Sequence, residues 1–193
     1  MVIGVYGIIG SGKSEVAGIF SEIYDFKVID ADSIGHRALD LPDVREKLVK
    51  EFGSVILKGD TTTEIDKNIL GNIIFSNKRR KEKLENIIWP YIKEFIEKET
   101  NKGDRILIDA AVLFSAGWNK LCDYTIYVYT PLPLIFLRVY RKKKYSLIRI
   151  FHIIRSQEEV LRDSVKATFK IYNNSNAKDL NKKIGCIWKK ISH

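Results

Sequence analysis

The chain is short of cysteine, proline and histidine: its 193 residues include two cysteines, four prolines and three histidines. Cys122 and Cys186 form no metal-type pair, which leaves no basis for a cysteine-ligated metal site, and they fit reduced thiols in a cytoplasmic protein. His36 stands alone, without a metal-binding or nucleophilic partner at suitable spacing, and receives no role. No uninterrupted apolar stretch is long enough to span a bilayer. The longest candidate, "YTIYVYTPLPLIFL", is broken by Pro131 and Pro133. The apolar start "MVIGVYGIIG" lacks the basic leader and the small-residue cleavage site of a signal peptide, so it reads as a first buried strand. Internal repeats and low-complexity linkers are also missing.

What remains is the composition of a soluble globular protein, 45% hydrophobic and 30% charged, with enough chain for one domain and an inserted subdomain. The formal net charge is +9. That excess fits three readings: nucleic-acid binding, steering of polyanionic small molecules into an enzyme, or a lysine-rich solvated surface.

One stretch decides among them. "GIIGSGKS" places Gly7, four further residues and then Gly12-Lys13-Ser14 in the phosphate-loop pattern G-x-x-x-x-G-K-[ST]. Glycine lets the backbone come close to a ligand and turn successive N–H groups inward around an anion. Val16, Ile19, Phe20 and Ile23 follow at helical spacing, so the loop opens a helix whose N-terminus adds partial positive charge. Gly10, Ser11, Gly12, Lys13, Ser14 and Glu15 are therefore the expected nucleotide contacts, with ATP the nucleotide implied by the resemblance given below. Lys13 is expected to reach the β- and γ-phosphates and the Ser14 hydroxyl to ligand Mg²⁺. This shifts the reading of the charge toward polyanionic small molecules.

Strand and helix patterns alternate along the rest of the chain. "FKVIDADSIG" reads as a second buried strand ending near Val28 and Ile29, with Asp30 and Asp32 two apart and so on one side of an extended chain. Residues 33–100 are mostly helical in pattern, with Pro90 marking a break or kink. "DRILIDAAVLF" is a buried parallel strand ending at Asp109, "YTIYVYT" another strand, "PLIFLRVYRKKK" a basic helix, "ATFKIYNN" the last strand and "AKDLNKKIGCIWKKI" the closing helix. Alternation of this kind predicts an α/β fold with a mainly parallel sheet, whose ligands gather at the carboxyl ends of the strands. The phosphate loop, Asp30, Asp32 and Asp109 are all expected at that edge.

Taken together, "GIIGSGKS", "VIDADSIG", "DAAVLFSAGWNKLCD", "LRVYRKKK" and "ATFKIYNNSNAKDL" resemble the dephospho-CoA kinase family, in motif order and over nearly the whole chain. The resemblance implies transfer of the ATP γ-phosphoryl group to the ribose 3′-hydroxyl of dephospho-CoA, the last step of coenzyme A biosynthesis. It also implies a P-loop NTPase-type three-layer sandwich forming a single kinase domain over 1–193, with a helical acceptor-binding subdomain at 33–100 and a lid at 138–157. ATP and Mg²⁺ are the implied donor and ion; no nucleic acid or membrane partner is expected, and the location is cytoplasmic. Departures from the family pattern are Glu15 after the Lys-Ser pair, Ala111 and Ser115 in the segment after Asp109, Trp89 before Pro90, Lys67 in "DKNIL" and only Asn173 kept in "YNNS".

Position and resemblance assign the remaining roles. Asp32 suits either the N-cap of the next helix or the base that accepts the proton of the attacking hydroxyl; it matches the second Asp of the family's D-A-D, which implies the base. Asp30 is an acceptor or water-shell residue, or an ordinary turn carboxylate. Asp109 follows a buried strand and either holds Mg²⁺ through water or borders the acceptor pocket. The resemblance extends that pocket to Lys67 and Leu113. Arg138, Arg141 and Lys142 share one helix face at i,i+3 and i,i+4 spacing, suited to closing over a triphosphate or simply to solvent. Lys143 and Lys144 are left to solvent. Asn173 is placed near adenine or in a turn. Two other readings stand beside this one: another P-loop small-molecule kinase for nucleosides or nucleotides, and a basic P-loop protein that binds nucleic acid.

Overall fold

A computed structural model describes residues 1–59, 63–75, 77–143 and 146–192. The side chain of Lys143, all of Lys144 and the part of the expected lid at 144–145 lie outside what it describes. By its internal contacts the chain divides into two compact units, residues 1–30 with 99–193, and residues 31–98.

The first unit is built on five strands, β1 (Val2–Tyr6), β2 (Lys27–Asp30), β3 (Ile106–Asp109), β4 (Tyr124–Tyr129) and β5 (Phe169–Tyr172). They lie in the order β2-β3-β1-β4-β5, with every ladder parallel. β1 is central, flanked by β3 and β4, and its run of apolar residues is buried as a two-sided strand requires. One face of the sheet, through Ile3, Val5, Leu107, Ile126, Val128 and Ile171, packs against α1 (Lys13–Tyr24) and α9 (Ala177–Ile191). The helical periodicities account for this: Val16 and Phe20 turn inward from α1, and Leu180, Ile184, Ile187 and Ile191 from α9. On the other face, Gly4 leaves no room for a side chain, because a Cβ there would stand 2.6 Å from Leu113 Cδ2 and 2.8 Å from Cys122 Sγ. Three more helices, α6 (Leu132–Lys143), α7 (Leu147–Arg155) and α8 (Glu158–Asp163), connect β4 to β5.

The second unit is helical: α2 (Ala31–Ala38), α3 (Pro42–Phe52), α4 (Lys67–Phe75) and the long α5 (Lys78–Thr100), whose last residues run on into the first unit. Val44 and Leu48 of α3 are buried, and Gly53 ends that helix at φ 84°. Tyr91 of α5 donates its hydroxyl proton to Asp43 and accepts from Lys47, tying α5 to α3. Among the described residues no helix is long and apolar enough to cross a membrane.

Two expectations need correction and a third, the break or kink at Pro90, is narrowed. Val28 is exposed rather than buried, because β2 is an edge strand. Asp30 and Asp32 do not share one side of an extended chain: the strand stops at Asp30 and Asp32 lies in the first turn of α2. Pro90 does not divide its helix, since α5 is one element with the proline inside it.

Candidate active site

The loop between β1 and α1 takes the shape its glycines permit. Gly10 has φ 75° and Gly12 φ 91°, both in the left-handed region. The Ser11 N–H donates to the Ile8 carbonyl at 3.1 Å, closing the turn, and α1 begins at Lys13 with Gly12 as an N-cap that supplies no side-chain partner. Among the described residues, the N–H groups of Gly12, Lys13 and Ser14 therefore meet no acceptor. Unspent donors at a helix N-terminus form an anion site.

Neighbouring strands supply the walls. Asp109, the last residue of β3, is buried and accepts a hydrogen bond from the Ser14 hydroxyl at 2.9 Å. Asp30 stands opposite it in the β2–β3 register, so two carboxylates end adjacent strands at this edge. The Ser14–Asp109 pair offers only oxygen donors, which suits Mg²⁺ completed by phosphate oxygens and water. Among the described residues there is no cluster of three or more His, Cys, Asp or Glu that could hold a metal unaided.

Behind the loop lies a buried polar brace. Asn173, directly after β5, donates from Nδ2 to the Ser11 carbonyl at 3.1 Å and to Glu15 Oε2 at 3.2 Å. Thr130, directly after β4, has its hydroxyl 2.9 Å from both the Ser11 and Asn173 carbonyl oxygens. Arg138 Nη1 reaches the same hydroxyl at 3.4 Å. The adenine or a turn is the place expected for Asn173, and in the structure its amide bonds to the phosphate loop. Thr130 has little signal in the sequence, where it is only a polar residue closing an apolar strand.

The other expected residues are distributed as follows. Arg138 is partly buried on α6, whereas Arg141 and Lys142 are exposed one turn on. Leu113 is fully buried against β1, so its side chain belongs to the core and is unavailable to an acceptor. The Cys122 thiol, pushed up to about 12 by burial, is held protonated and unreactive. In the helical unit, Asp32 occupies the first turn of α2, where a carboxylate complements the helix dipole. Lys67 opens α4, 3.8 Å from Asp40, and borders a cavity of about 660 Å³ that also presents Arg45, Lys58 and Asp66.

A phosphate-binding loop braced from β4 and β5 and faced by the Ser14–Asp109 pair is the arrangement of a P-loop kinase. Comparison with known proteins decides which kind. The profile of the dephospho-CoA kinase family matches residues 1–179. The chain belongs to the dephospho-CoA kinase family. It is 37% identical over 188 residues to a dephospho-CoA kinase of Fusobacterium nucleatum, covering 95% of each chain. Its fold resembles a dephospho-CoA kinase from Campylobacter jejuni with a TM-score of 0.69 and 29% identity, over 99% of this chain and 96% of that one. The Thermus thermophilus protein TT1252 shares the fold with a TM-score of 0.82 at 24% identity, over 99% and 97% of the two chains. As a dephospho-CoA kinase, the protein is a phosphotransferase acting on an alcohol group: it phosphorylates dephospho-CoA with ATP in coenzyme A biosynthesis.

Proposed function

We propose that the γ-phosphoryl group of ATP passes to the ribose 3′-hydroxyl of dephospho-CoA at the mouth of the β1–α1 loop, with Asp32 as the base. The observation that carries the reading is the Ser14–Asp109 hydrogen bond at 2.9 Å beside the unspent N–H groups of Gly12, Lys13 and Ser14. Those donors and the Lys13 ammonium bind and orient the β- and γ-phosphates, and Arg138 with Arg141 and Lys142 offsets charge that grows on the transferring group. Ser14 and Asp109 would hold Mg²⁺, which when bound neutralises phosphate charge. Asp32 accepts the proton of the 3′-hydroxyl as its oxygen bonds to phosphorus and the bond to ADP breaks. Asp30 and Lys67 contribute to holding the acceptor, and the helical stretch 33–100 binds its longer arm; residues 138–157, which take in the end of α6 and all of α7, act as the lid. The two cysteines, both free, support a reducing cytoplasmic setting.

The test is ADP release from MgATP with dephospho-CoA, against adenosine, AMP and no-acceptor controls. Turnover that requires dephospho-CoA is expected. Asp32→Asn should lower kcat by roughly 10²- to 10⁴-fold, the usual worth of a general base, with ATP affinity unchanged. Release with adenosine or AMP only would move the acceptor to that of a sister kinase. Full activity of Asp32→Asn would remove Asp32 as the base.

A further inference from the structure

The phosphate loop has one more partner, remote in sequence. The Ile9 N–H donates to Oε1 of Gln157 at 2.8 Å, across 148 positions. Gln157 sits between α7 and α8, at the N-cap position of α8, yet its side chain makes no cap there. Glutamine is not among the favoured capping residues, and here its carbonyl is directed to the loop instead. Next to Ile9, Gly10 packs against the preceding helix: a Cβ on Gly10 would fall 2.6 Å from Val139 Cγ2 and 3.2 Å from Ile135 Cγ2, both on α6. The Ile9–Gly10 segment is thus held from both sides, by the helix that leads into the stretch 138–157 and by the residue that ends it.

We propose that Gln157 is a positioning residue for phosphoryl transfer: by accepting the Ile9 N–H it ties the trailing end of the α6–α7 segment to the phosphate loop, so that the loop's shape and the segment's position are set together. The inference rests on ATP binding at this loop, and not on the identity of the acceptor. Gln157 acts through the loop, because its bonded atom is Oε1 and the group it orients is backbone. Its effect should therefore appear on the nucleotide side of the reaction.

Two variants test it. Gln157→Met keeps the length but removes the acceptor, and Gln157→Glu keeps an acceptor oxygen at the same reach. ATP affinity is measured by calorimetry without acceptor, and KM is measured for both substrates. Thermal midpoints are recorded, along with the hydrogen-exchange protection that ATP confers on α7. Gln157→Met should weaken ATP binding about tenfold, in line with the loss of one hydrogen bond, and reduce the α7 protection. The KM for dephospho-CoA and the thermal midpoint should move little, and Gln157→Glu should lose less than Gln157→Met. ATP affinity within twofold of the parent, equal loss on both substrates with a fall in midpoint, or a Gln157→Glu variant as impaired as Gln157→Met would each overturn the proposal. Because calorimetry needs no acceptor, the result stands even if dephospho-CoA proves not to be phosphorylated.

Discussion

Gly12 carries two constraints at once. Its φ of 91° is a conformation that L side chains rarely adopt, and a Cβ there would fall 2.1 Å from Asn173 Nδ2. Gly12→Ala must therefore distort the loop or expel the Asn173 amide from its bonds to Ser11 and Glu15. ATP affinity is expected to fall at least about a hundredfold, near 3 kcal/mol, as read by calorimetry. Asn173→Ala should produce a smaller loss of the same kind, since it unties the brace without straining the backbone. The glycine and lysine positions are legible in the sequence because phosphate binding needs that spacing locally. The brace is not, because Asn173 and Thr130 reach Ser11 only once β4 and β5 lie beside β1. Gln157 is invisible for the same reason: one glutamine in a polar stretch has no local pattern that points to Ile9. Leu113 lies in the core, a place its sequence does not specify, because a leucine after a buried strand suits an acceptor pocket and a core equally well.

At the scale of elements, strands and helices follow the apolar periodicities closely, and the closing helix coincides with "AKDLNKKIGCIWKKI". That helix is capped by Asn176, whose side chain accepts the Asp179 N–H at 3.0 Å. Asn176→Ala should cost about 1 kcal/mol in chemical denaturation. The two misreadings at this scale share a cause. Val28 and the Asp30–Asp32 pair depend on where β2 stands in the sheet and where the next helix begins, and neither is set by the four residues of the strand. The long α5 holds Pro90 in its interior, where proline lacks an N–H and crowds the preceding turn. Replacing this exposed residue, Pro90→Ala, should stabilise the protein by roughly 1–3 kcal/mol, seen as a raised denaturation midpoint.

For the whole molecule, the chain re-enters the sheet unit at Glu99. There the carboxylate meets two ammonium groups, Lys102 at 2.6 Å and Lys27 at 2.5 Å, and the two hydrogen bonds hold it at about 2, well below the usual carboxylate range. A depressed carboxyl contributes stability above its unfolded value, about 4.3, and that contribution is lost as pH falls toward the folded value. Glu99→Gln should therefore be less stable than the parent at neutral pH, and the gap should narrow as urea titrations move from pH 5 to pH 2. A gap that stays constant over that range would show that the ion triad carries none of it.

The position of β1 has a consequence for synthesis. The strand that leads into the phosphate loop leaves the ribosome well before its partners, for it pairs with β3, where Val2 meets Ile106, and with β4, where Ile3 meets Tyr124. At translation rates of about 5–20 residues per second, the hundred or so residues between Val2 and Ile106 take roughly 5–20 s to appear. Throughout that interval "VIGVY" has an apolar surface and unpaired backbone on both sides, while the helices of 31–98 need only local contacts to form. The catalytic loop is thus synthesised long before the strands that support it, and its leading strand stays open to wrong partners until β3 emerges.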